Sequence, residues 1–78
     1  MSGKWEEAVK KKFPEVVMMG SRFNGTDRIF ELWLILKREP DEEKDEPIRE
    51  FIREMAKESL GKDDPGINKI EFFQEKKP

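Results

Sequence analysis

Val16-Val17-Met18-Met19-Gly20-Ser21-Arg22-Phe23-Asn24-Gly25-Thr26-Asp27-Arg28-Ile29-Phe30-Glu31-Leu32-Trp33-Leu34 reads as a β-hairpin, and that reading decides the fold. The turn signal is Asn24-Gly25, because both residue types tolerate positive φ. The second strand runs from about Arg28 to Lys37. Period-two alternation puts Phe30, Leu32, Leu34 and Leu36 on one face, assigned to the core, and Ile29, Glu31, Trp33, Ile35 and Lys37 on the other. The second face is too apolar for a plain solvent face, so something covers it, binds it, or it stands as an exposed patch.

Before the hairpin, Trp5, Ala8, Val9 and Phe13 recur at i, i+3, i+4 and i+8, the stripe of an amphipathic helix. Lys10, Lys11 and Lys12 occupy its last turn, where cations suit the helix dipole, and Pro14 stops it. After the hairpin, Glu39 to Glu46 reads as an acidic connector broken by Pro40. Pro47 then suits the first turn of a second helix, capped by Asp45 or Glu46. Ile48, Phe51, Ile52, Met55, Ala56 and Leu60 form its apolar stripe. Glu46, Glu50 and Glu54 each meet a base three positions on, at Arg49, Arg53 and Lys57. Gly61 ends that helix, Asp63-Asp64-Pro65-Gly66 reads as a turn, and Ile67 to Gln74 as a third strand with Ile70 and Phe72 facing the core. Residues 75–78 read as a frayed, charged tail.

The expected architecture is therefore α+β, in the order α-β-β-α-β. It is a small three-stranded, mostly antiparallel sheet with two helices packed on one face. The chain of 78 residues forms one domain, 1–78, with no internal repeat.

Composition narrows the function classes. Charged residues make up 44% of the chain, yet 16 bases against 18 acids leave a net charge of only −2. That balance argues against a general nucleic-acid binder, and the strong apolar patterning argues against disorder. With no cysteine and no histidine, disulfides, thiolate chemistry and the commonest metal ligand and general base are missing. The expectation is a non-enzymatic protein without cofactor or metal. No apolar run marks a leader or a membrane span, so no membrane partner is expected and the cytoplasm, or the nucleus, is the default compartment. The acidic run Asp41-Glu42-Glu43-Lys44-Asp45-Glu46 lacks the alternating ligands and central glycine of a calcium loop and reads as a solvated helix start. No acid falls on the predicted core face, so paired-carboxylate catalysis has no place to sit.

What is left is the hairpin. Arg22 and Arg28 bracket its turn, and two guanidinium forks there suit a phosphate chain; the plainer reading is two solvated charges beside Asp27. Trp33 lies on the non-core face between Ile29 and Ile35, where its ring suits a base; the plainer reading is a ring packed under a helix or in a self-association face. Trp5 reads as a core anchor of the first helix.

In these motifs the chain resembles the C-terminal half of the cap-binding translation initiation factor 4E family. Val16 to Arg22 followed by Asp27-Arg28-Ile29 and Leu32-Trp33 looks like the family's strand pair of the form (V/S)-x-R…D-(K/R)-I-x-(L/I)-W. Trp5-Glu6-Glu7 through Phe13-Pro14-Glu15 is similar to the helix that begins Trp-Leu-Glu and ends Gly-Glu. Lys57-Glu58-Ser59-Leu60-Gly61 and Ile70-Glu71-Phe72-Phe73-Gln74 are similar to the last helix and strand. The resemblance implies that Arg22 and Arg28 grip the phosphates of a 7-methylguanosine nucleotide, the mRNA cap, and that Trp33 touches the methylated base. Four departures stand beside it. The family's N-terminal half, with its two sandwiching tryptophans and acidic residue, is absent from this chain. The stretch between Arg22 and Trp33 is slightly longer here. The segment between the first helix and the first strand is much shorter. Glu6 and Lys10 stand where the family carries leucines that bind scaffold and repressor peptides.

Three readings follow. The first is an engineered or designed scaffold with cap-binding ancestry, suggested by the heavy charge, the idealised helix faces and the missing cysteine and histidine. The second is a minimal cap-binding module using Arg22, Arg28 and Trp33. The third is a self-associating domain, monomer or weak homodimer, joined through Ile29, Trp33 and Ile35.

Overall fold

The computed structural model describes residues 3–61, 63 and 66–76. The elements follow in the order α1 (Lys4–Lys12), β1 (Val16–Asn24), β2 (Ile29–Leu36), α2 (Glu42–Leu60) and β3 (Lys69–Gln74). This is the predicted α-β-β-α-β order in one small α+β unit. The sheet is mixed, in the order β1-β2-β3. β1 pairs with β2 in the longer, antiparallel ladder, from Val16↔Leu36 to Asn24↔Ile29. β3 lies parallel to β2, from Glu31↔Lys69 to Leu36↔Gln74. A parallel neighbour requires a crossover, and α2 is that crossover.

Leu32, Leu34 and Leu36 turn into the core with Val9, Val16, Ile48, Ile52, Ala56 and Ile67. Trp5, Phe13, Met19, Phe30, Phe51, Met55, Ile70 and Phe72 pack around them. A bulge between Val16 and Met18 explains how β1 supplies both Val16 and Met19 to this face. Three residues apart, the two would point to opposite sides of a regular strand, and the extra residue, Val17, restores the phase. Trp5 anchors α1 as expected, with its ring centroid 6.3 Å from that of Phe30 and its Nε1–H donating to Ser59 Oγ at 3.3 Å.

Four local readings change. The turn is not an Asn24-Gly25 pair at positive φ. The loop runs over residues 25–28, Asn24 Oδ1 accepts from the N–H groups of Thr26 (3.0 Å) and Asp27 (3.2 Å), and the positive-φ residue is Arg28, at 54°. Asn24 thus acts through its side chain, a short-range acceptor for a wider loop. Second, the N-cap of α2 lies four to five residues before the predicted caps. Asp41 is the N-cap, accepting from Glu43 N–H (2.9 Å) and Lys44 N–H (3.1 Å), and Pro47 lies inside the helix.

Third, Asp45 is a buried carboxylate, 2% exposed, although no acid was expected on the core side. Its Oδ1 accepts from Arg38 Nη2 at 2.8 Å and its Oδ2 from the Asp41 N–H at 2.9 Å. Arg38 also reaches Glu15 Oε2 at 3.4 Å and the Glu39 carbonyl at 3.0 Å, so one guanidinium ties the start of β1 to the start of α2. Burial works against the Arg38 charge, but the bonds and charges of Asp45 and Glu15 outweigh it and raise its pKa above the ordinary value. Fourth, Glu75 is not frayed: its N–H donates to the Leu36 carbonyl at 2.7 Å and extends the parallel ladder. The C-cap reading holds, with Gly61 at φ 65° donating to the Lys57 carbonyl. Asp64 and Pro65 of the predicted turn, and Lys77 and Pro78 of the tail, lie outside the described residues. Among the described residues, no helix is long and apolar enough to cross a membrane, and no group of three or more acidic side chains is placed to hold a metal ion.

Candidate functional site

Both helices contribute to the core on the side of Leu32, Leu34 and Leu36, which leaves the other side of the sheet without a covering element among the described residues. Paired positions share a face, so the register names the residues of this open side. They form three rows across the sheet. Met18, Ile35 and Phe73 make an apolar row, with Met18 54% and Phe73 44% exposed. Gly20, Trp33 and Glu71 make the middle row. Arg22, Glu31 and Lys69 make a charged row toward the hairpin loop.

The middle row has a specific geometry. The Trp33 indole lies across Gly20 so closely that a Cβ there would overlap Cε2, Cζ2 and Nε1 of the ring. A strand glycine is what allows this, since any other residue puts a Cβ where the ring rests. The ring therefore lies along the surface rather than standing up from it, and it remains half-buried. Packed under neither helix, Trp33 is held by the strand beside it.

The structure brings Arg22 and Trp33 onto this one face, in adjacent rows. Arg22 Nη1 is 3.6 Å from Glu31 Oε1, its cross-strand neighbour, and 63% of its side-chain surface is exposed. Arg28 lies outside the ladder, the last residue of the hairpin loop. Three residues from Glu31, it stands about 10 Å further along the strand direction.

The sequence reading placed Glu31 on this face without a role and passed over Gly20, Lys69 and Glu71. Glu71 is directly opposite Trp33, and Lys69 Nζ is 3.3 Å from Glu71 Oε1. Each base of the charged row thus meets an acid, Arg22 against Glu31 within the row and Lys69 against Glu71 of the middle row. Of these, the glycine alone left a readable signal: a glycine inside an otherwise apolar strand run marks a close approach. Glu71 and Lys69 reach the face only through the parallel β2–β3 register, which depends on the crossover and not on any local pattern.

Comparison with protein-family models, with curated proteins and with solved structures finds no match for this chain.

Proposed function

We propose that the helix-free face of the sheet is a binding surface for an anionic ligand carrying a flat ring, and that the protein binds without catalysing a reaction. The observation that carries this reading is the Trp33 indole laid across Gly20 on an uncovered face, one row from Arg22. A ring held parallel to the sheet offers a stacking platform, and aromatic stacking of a base is worth about 1–3 kcal/mol. A solvent-facing guanidinium beside it supplies charge-assisted bonds to phosphate oxygens. The resemblance to the initiation factor 4E family makes the specific case a 7-methylguanosine nucleotide, with Arg22 and Arg28 on the phosphates and Trp33 at the base. With a single tryptophan as platform, the affinity is expected in the micromolar to millimolar range.

The test is a titration of 7-methyl-GTP against GTP in a Trp5→Phe variant, so that Trp33 alone reports, at low and moderate salt. Quenching that favours the methylated nucleotide, weakens with salt and is lost in Arg22→Ala supports the reading. No saturable quenching by either nucleotide overturns it. The second reading, a scaffold with no ligand, has its own observation: Arg22 and Lys69 already meet acidic partners on this face. That reading gains if the domain folds cooperatively and Arg22→Ala leaves the fluorescence response to both nucleotides unchanged.

A further inference from the structure

A second feature lies on the helix side of the sheet, at its β1 edge. β1 is an edge strand. The Met19 N–H points away from β2, because it donates to Glu6 Oε2 on α1 at 3.0 Å. Across the ladder, Phe30 turns both its N–H and its carbonyl toward Asn68, at 2.6 and 2.7 Å, so the Phe23↔Phe30 pair exchanges no hydrogen bonds. Antiparallel pairs alternate, so Met19, Ser21 and Phe23 all turn their backbone groups outward at this edge. Glu6 occupies the first of these N–H groups; those of Ser21 and Phe23 face solvent. An exposed row of this kind is a template for another strand.

Directly beside that edge is a cleft of about 670 Å³ whose walls include Trp5, Met19, Ser21, Phe30 and Leu32. It exists because α1 begins at Lys4, below the distal half of the hairpin, and because Ser21 fills little of the space its position commands. Phe23 stands 73% exposed at the far end, its ring edge-on to Phe30 at 5.9 Å. The edge and the cleft share residues, so a strand added to the first would place its side chains in the second.

We infer that the Ser21–Phe23 edge of β1 takes an extended peptide by strand addition, with the local pattern apolar–acidic–apolar. The apolar residue opposite Ser21 enters the cleft beside Trp5, and the one opposite Phe23 packs on that ring. The acidic residue between them falls opposite Arg22, on the open face. There Arg22 has Glu31 on the β2 side and no charged residue beside it in β1, where its same-face neighbours are Gly20 and Asn24. The two N–H and two carbonyl groups of Ser21 and Phe23 supply the main-chain bonds, and the cleft and Arg22 supply the selectivity. A second copy of the chain fits poorly, because symmetric pairing through Ser21 and Phe23 sets Arg22 against the same arginine of the other copy. The inference does not depend on the nucleotide reading: the two share only Arg22, while the main-chain bonds and the cleft lie at the β1 edge, away from Trp33.

The experiment uses two fluorescein-labelled nine-residue peptides with identical flanks and differing only in the central residue of their middle five, Thr-Leu-Glu-Leu-Thr against Thr-Leu-Lys-Leu-Thr, followed by anisotropy and by amide shifts. Saturable binding of the glutamate peptide, roughly tenfold tighter than the lysine peptide, is expected, with the order reversed in Arg22→Glu. The amides of Ser21 and Phe23 should shift and exchange more slowly, while that of Met19, held by Glu6, changes little. Ser21→Pro removes an outward N–H at an edge, where proline is tolerated, and should abolish saturation up to about 1 mM peptide. Phe23→Ala, at an exposed side chain, provides a second weakening variant. Equal binding of the two peptides, no saturation with the unmodified chain, or shifts confined to Trp33, Ile35 and β3 would each overturn the inference.

Discussion

Gly20 and Arg28 place opposite demands on the hairpin. At Gly20 the missing side chain is what lets the Trp33 ring lie down, and an added Cβ meets the rigid body of the indole, not a flexible tip. Gly20→Ala must therefore lift the ring or bend the strand. Crowding of this kind costs about 1–3 kcal/mol. The expected outcome is a lower denaturation midpoint together with red-shifted Trp33 emission, read in the Trp5→Phe background. Unchanged emission and midpoint would show that the ring does not rest on Gly20. Arg28 is the reverse case, a branched-free but Cβ-bearing residue at φ 54°, where an L side chain crowds its own backbone. Arg28→Gly should raise stability by about 1 kcal/mol, the left-handed cost less the added chain entropy of glycine. If Arg28 also serves a phosphate chain, the same change lowers nucleotide affinity. Stability and binding moving in opposite directions would mark the strain as functional; a gain in stability with no effect on binding would make Arg28 a loop residue only.

At the scale of elements, α2 shows why its start was misplaced. Pro47 at the first turn is the strongest local signal in that region, and it drew the expected cap to Asp45 or Glu46. The actual start is decided by tertiary contacts: Asp45 is buried under Arg38, and Asp41 is left to close the helix end. No periodicity can register a carboxylate whose burial depends on an arginine in the connector between β2 and α2. Asp45→Ala should remove the carboxylate that receives both Arg38 and the Asp41 N–H. Losing such a partner costs about 1–3 kcal/mol, with the penalty limited because Arg38 can turn toward water. Urea denaturation measures it, and a change below a few tenths of a kcal/mol would deny the network a structural role. Asp41 makes a separate, pH-dependent contribution. The backbone N–H of Lys44, with that of Glu43, lowers its pKa below the ordinary value of 3.8. Depressed in the folded state, the group adds stability that is fully present above 3.8 and is lost as pH falls through its folded value. Asp41→Asn keeps a good cap but cannot titrate. In thermal melts across pH 2–7, its midpoint should fall less steeply below about pH 4 than that of the unmodified chain. Parallel curves for the two proteins would rule that contribution out. By contrast, α1, Gly61 and the two faces of β2 were legible from spacing alone, because their decisive interactions are local or repeat with the period of the element.

At the scale of the molecule, two helices on one side of three strands give a core that is complete on that side only. The division of β2 into a leucine face and an Ile29–Trp33–Ile35 face was readable in the sequence; that the second face stays uncovered followed only from the placement of both helices. Its size sets what it can do. Three strands about 4.8 Å apart and about eight residues long present roughly 350–400 Å². A stable interface takes about 800 Å² from each partner. The rows also match badly in a face-to-face pair. An axis along the strands sets Arg22 over Lys69 of the other copy, and an axis across them sets the apolar row of Met18, Ile35 and Phe73 over charges. A flat ligand needs far less area than a second sheet. The chain is therefore expected to sediment as a 9.3 kDa monomer at concentrations of about 100 μM, with little change between low and high salt. Any dimer that forms above this should be weakened by Phe73→Thr, which shortens the apolar row at an exposed position and leaves the core untouched. A stable dimer at low micromolar concentration, lost on Phe73→Thr, would instead mean that the open face is filled by a second copy. The Trp33 and Arg22 pair would then belong to that interface, and the nucleotide titration on the same sample would fail to saturate.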